Sequence, residues 1–80
     1  MEPKSTRYQA LAGIVRADLR AAGITSDREA AERANIPATT YYRRMSGDPF
    51  RLDELERLAS LSGTSAAAWL ARLSDLQAAA

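Results

Sequence analysis

The run Tyr41-Tyr42-Arg43-Arg44 sets two phenols beside two guanidinium groups, with the hydroxyls of Thr39, Thr40 and Ser46 close by. A guanidinium is a planar fork of N–H donors that grips carboxylates, phosphates or the acceptor edge of a base, and a hydroxyl both donates and accepts. These are groups for binding rather than for catalysis. The chain contains no histidine and no cysteine. That removes zinc sites built on imidazole or sulfur, thiol nucleophiles and the usual general base near neutral pH. No enzymatic activity, metal, cofactor or small-molecule substrate is therefore expected.

What the phenols and guanidiniums can do depends on the element that carries them. On a helix, successive residues point about 100° apart, so Tyr41 and Tyr42 cannot share one task. With Tyr41 on the inner side, Met45 joins it inside, while Thr39, Tyr42, Arg43 and Ser46 collect on the opposite side. The two arginines then divide between the outer face and its flank. Such an outward set suits a DNA major groove, where a guanidinium can fork onto guanine beside a hydroxyl and an aromatic rim.

The rest of the chain reads as helices that position this one. Tyr8, Leu11, Ala12, Val15, Leu19 and Ala22 form one stripe, closed by Gly23 with Ile24 packing back on the last turn. Ser26 and Glu29 form a capping box that opens a short second helix. Its inner face is Ala30, Ala31 and Ala34, Glu29 and Arg33 pair outside, and Asn35 ends it in the left-handed conformation. Pro37 suits the first turn of a third helix, 37–46. Gly47-Asp48-Pro49 breaks the chain before a fourth helix starting near Arg51 or Leu52, with Asp53 and Glu54 at its positive end and Leu52, Leu55, Leu58 and Ala59 as its stripe. Thr64 or Ser65 caps a fifth through Trp69, Leu70, Leu73 and Leu76, with fraying expected after Leu76. The expected fold is all-α, a single five-helix domain over 1–80.

Residues Ser26 to Gly47 resemble the helix-turn-helix of the Cro and cI repressor class, the XRE-type family of phage and bacterial regulators. Ala31 stands where the family has a small residue, Asn35 where it usually has the turn glycine, Ile36 as the apolar turn residue, and Tyr41 and Met45 as the inward side of the recognition helix. LDELERLASL and GTSAAAWL resemble the family's fourth helix and the start of its fifth. Arg44 departs from the pattern, standing where many members carry an apolar core residue.

The resemblance implies a compact lambda-repressor-like domain, with the helix-turn-helix at about 26–46, that reads double-stranded DNA as a Cro-like repressor. It places Ala38, Thr39, Tyr42 and Arg43 at base-reading positions. Ser26, Arg28, Arg44, Ser46 and Arg51 become candidates for phosphate contact. A palindromic operator bound by a homodimer is the implied partner, and Leu70, Leu73 and Leu76 are candidates for self-association.

Charge is distributed to match. The net charge is +1, but Met1 to Arg51 carries nine Lys or Arg against six Asp or Glu, and Leu52 to Ala80 two against four. An anion-binding face belongs to the first part. No apolar run approaches the about 18 residues that span a bilayer, so a cytoplasmic protein without a membrane partner is expected. The competing reading is a small helical interaction module, such as an antitoxin, an anti-repressor or an adaptor.

Overall fold

Alanine-rich amphipathic segments make helices here, and the chemistry of the helix ends decides where the chain turns. The computed structural model describes residues 6–79. They form α1 (Thr6–Ala21), α2 (Asp27–Arg33), α3 (Ala38–Met45), α4 (Leu52–Leu61) and α5 (Ala66–Ala79), with no strand among the described residues. This is the all-α, five-helix architecture expected. α5 continues past Leu76 to Ala79.

The first four helices stop in one way. A residue with positive φ follows the last turn: Gly23, Asn35, Gly47 and Gly63 in chain order. Its N–H and the next one donate back to carbonyls of that turn. Gly23 and Ile24 bond to Arg20 and Leu19 at 3.0 and 2.9 Å, and Asn35 and Ile36 to Glu32 and Ala31 at 3.1 and 2.9 Å. This is the six-residue Schellman closure, and it delivers Ile24 and Ile36 into the core as plugs. Asn35 reaches φ 57° without being glycine, as short polar side chains do at least cost.

The helix starts are more varied. The Ser26 hydroxyl accepts from the Glu29 N–H at 3.1 Å, but the expected return bond is not formed. The Glu29 carboxylate pairs with Arg33 at 3.4 Å instead, so half of the capping box is present. Ser65 caps α5 through the Ala68 N–H at 3.1 Å. At α4, the Glu54 side chain accepts from the Arg51 N–H at 2.9 Å.

Leu11, Val15 and Leu19 of α1 meet Tyr41 and Met45 of α3, Leu55 and Leu58 of α4, and Trp69 and Leu73 of α5 in one apolar cluster. Two positions differ from the expected stripes. Ile14 is buried although it lies off the stripe drawn for α1, because α5 packs on that flank. Leu52 is exposed although it lies on the stripe of α4, because it sits in the first turn with nothing packed over it. Trp69 and α1 are joined by more than packing. The Asp18 carboxylate accepts from Trp69 Nε1 and from Arg72, both at 2.7 Å, which gives the buried indole the acceptor it requires. The hydrogen bonds from Arg72 and then Trp69 hold the Asp18 carboxyl below its ordinary value. Among the described residues, no helix is long and apolar enough to cross a membrane.

Candidate nucleic-acid interface

α3 presents two unlike faces. Tyr41 is 1% exposed and Met45 is buried, whereas Ala38, Thr39, Tyr42 and Arg43 are all exposed, Tyr42 at 51%. Thr39, Tyr42 and Arg43 therefore share the open side of one helix, while Ala38 is exposed as its first residue, on the stripe of Met45. Tyr42 is steadied by an edge-on contact with Tyr41, ring centroids 6.3 Å apart and planes at 71°, an arrangement favoured by the ring quadrupoles. Burial, reinforced by the Asp27 carboxylate, pushes the Tyr41 phenol up to about 12.

Most cations in this molecule are committed to acids. Arg16 pairs with Asp27, Arg28 with Glu32, Arg33 with Glu29, Arg44 with Glu54, Arg51 and Arg57 with Asp53, and Arg72 with Asp18. Arg43 has no acidic partner among the described residues. A guanidinium with none of its five donors engaged, held on the open side of a helix, is available for a ligand.

Four of the five residues expected at phosphates fall into three groups. Ser26 accepts from Glu29 and keeps its own O–H proton free to donate. Arg28 and Arg51 sit in exposed pairs, to Glu32 at 3.2 Å and Asp53 at 3.3 Å; such pairs contribute about 0–1 kcal/mol and give way readily to a stronger anion. Ser46 donates its hydroxyl to the Arg43 carbonyl at 2.9 Å, so it would have to break that bond to serve a phosphate.

Arg44 is the correction. Its Nε and Nη2 donate to the two oxygens of Glu54 at 2.8 and 3.3 Å, and the side chains are only 16% and 7% exposed. Burial would raise the Glu54 carboxyl, but the hydrogen bonds from Arg44 and from the Arg51 N–H outweigh it and hold the group below its ordinary value. Arg44 is thus a strut between α3 and α4 and leaves the set of candidates for phosphate contact. A charge at an inner flank of α3 is stable there because Glu54 meets it. The pairing of Glu54 with Arg44 escaped notice in the sequence, where Glu54 looked like an acid suited to a helix N-terminus. An arginine beside the inner stripe was the available signal.

Arg57 was also missed. It donates to the Asn35 carbonyl at 3.2 Å and to the Asp53 carboxylate at 3.1 Å, tying α4 to the turn between α2 and α3. No local pattern announces a bond across that separation.

On α5 the three leucines part company. Leu73 is 2% exposed and belongs to the core, so it is withdrawn as a self-association residue. Leu70 and Leu76 are 40% and 56% exposed. Leu76 lies on the inner stripe with Trp69 and Leu73, but it lines, with Ile14, Arg72 and Asp75, an open groove of about 320 Å³. Among the described residues, no cluster of acidic side chains could hold a metal ion.

In comparisons with known proteins, no family model, curated protein or solved structure matches this chain.

Proposed function

We propose that this protein is a sequence-specific double-stranded DNA-binding regulator of the helix-turn-helix type, a Cro-like repressor that lays α3 in the major groove. The observation that carries the reading is the open face of α3, where Arg43 has no acidic partner among the described residues while the adjacent Arg44 is consumed internally. In this reading Arg43 forks onto a guanine, and Thr39, Tyr42 and the Ala38 methyl meet neighbouring base edges. Ser26, Arg28 and Arg51 hold the backbone and set the register. Occupancy of the operator then excludes polymerase or a competing regulator.

A dimer on half-sites about 34 Å apart is the geometry such a domain requires for a palindromic operator, with Leu70 and Leu76 as the apolar side chains left to form it. The same two leucines favour the second reading, a protein-interaction module that docks through α5.

Selection of bound duplexes from a random pool tests the proposal. A reader of DNA yields a preferred sequence and an affinity that falls steeply with salt. Arg43→Ala should cost about 1–3 kcal/mol at the selected site and relax preference at one base pair. An interaction module yields neither enrichment nor salt dependence, and equal losses on all sequences would remove Arg43 as a base reader.

A further inference from the structure

The ring of Tyr41 fills the core, yet its hydroxyl makes no hydrogen bond among the described residues. No fully buried side-chain nitrogen or oxygen in those residues lacks a partner, so this hydroxyl retains access to the surface. Its outlet is a cleft where α1, the start of α2 and α3 meet, bordered by Arg16, Arg20, Ser26 and Asp27 around Tyr41 itself. The charges acting on the phenol are Asp27 and Arg16, from the same cleft. Its free volume is about 10 Å³, room for roughly one water-sized atom.

The lining of the cleft holds two guanidiniums and one carboxylate. Arg16 and Asp27 face each other at 3.5 Å with side chains 39% and 35% exposed, a long pair that uses one of the five N–H donors of Arg16. Arg20 has no acidic partner among the described residues. Asp27 is the larger charge acting on the phenol and Arg16 opposes it, while Arg20 adds a second guanidinium to the lining; by formal charge the lining is +1, with the Tyr41 hydroxyl at its floor.

We propose that this cleft seats a single non-bridging oxygen of a DNA backbone phosphate, with the Tyr41 hydroxyl as its donor and Arg16 and Arg20 as its counter-charge. The proposal rests on the DNA-binding reading and adds to it a backbone contact made from beneath the recognition helix. The size of the niche admits one oxygen while the remainder of the anion stays outside. A free phosphate would therefore gain little there, whereas a strand already held by α3 and Ser26 presents that oxygen in place. Tyr41 thereby joins core and interface, and fixes the depth at which α3 sits in the groove.

Tyr41→Phe keeps the ring and removes only the hydroxyl, and so separates this role from folding. With the duplex recovered from selection, the variant should melt as the wild type does and keep the same ratio of cognate to random affinity. Its affinity for both duplexes should fall about tenfold, the scale of a hydrogen bond to a charged acceptor. Methylphosphonates, which replace a non-bridging oxygen by methyl, should reveal one position that weakens the wild type by a similar factor and the variant no further. Arg20→Ala, at an exposed side chain, supplies an independent arm and should lower the salt slope by about 1. A Phe variant that binds like the wild type, or full additivity at every methylphosphonate, overturns the proposal alone. So does a wild-type Tyr41 resonance that shifts with inorganic phosphate at constant ionic strength, since the occupant would then be a free anion. Failure of the wild type to bind any duplex with salt-dependent affinity overturns the regulator reading and this contact together.

Discussion

Replacing Arg44 with alanine would strand the Glu54 carboxylate in the corner between α3 and α4. Glu54 would keep the Arg51 N–H at 2.9 Å but lose both guanidinium bonds. Breaking a fully buried ion pair from one side costs about 3–5 kcal/mol. Here the figure is reduced, because Arg44 retains 16% exposure and water can enter the space it leaves, so about 2–4 kcal/mol is expected. That is a large share of the roughly 4–12 kcal/mol available to a domain of this size, and it lowers the melting temperature by roughly 10–25 °C. Arg43→Ala, one residue away, should change stability by less than about 0.5 kcal/mol. Thermal unfolding followed by circular dichroism reads the contrast directly. Replacing both partners by apolar residues, Arg44→Met with Glu54→Leu, should recover most of the loss, since the carboxylate no longer needs a partner. Equal melting curves for the two arginine variants, or a double variant as unstable as Arg44→Ala, would refute the assignment of Arg44 as an internal strut.

Acid should weaken the fold through the carboxyl groups held below their ordinary values, Glu54 and Asp18, with the exposed Asp53 beside Arg51 and Arg57 as a third. As pH falls below about 4.5 the unfolded chain takes up their protons first, so stability is complete above that point and declines as pH passes through the depressed folded values. Urea midpoints measured from pH 7 to 2 check this, and Asp18→Asn should flatten part of the decline while leaving the Trp69 N–H an acceptor. On α5, Leu73→Ser should destabilise by about 2–5 kcal/mol, whereas Leu76→Ser should leave the melting curve intact and weaken the proposed dimer, as read by sedimentation. A Leu76 variant that unfolds would place that side chain in the core after all.

The order and ends of the helices were legible because they rest on interactions within about six residues along the chain. Gly23, Asn35, Gly47 and Gly63 announce four turns, and each turn closes with the same pair of backbone bonds. The inner and outer faces of α3 were legible for the same reason: helical periodicity alone separates Tyr41 and Met45 from Tyr42 and Arg43.

Pairings between distant residues were not legible. Arg44 with Glu54, Arg57 with the Asn35 carbonyl, and Asp18 with Trp69 and Arg72 each depend on how two helices come to rest against each other. A guanidinium can turn to solvent, a phosphate or an acid with little intrinsic preference, and packing decides which of these lies within 3 Å or so of it. Burial at the edges of the stripes behaved likewise. Ile14 is covered because α5 lies on it, while Leu52 and Leu76 are left open where no helix does. Periodicity names the face of a helix, whereas the extent of that face that is covered depends on the lengths and placement of its neighbours, which only the assembled fold sets.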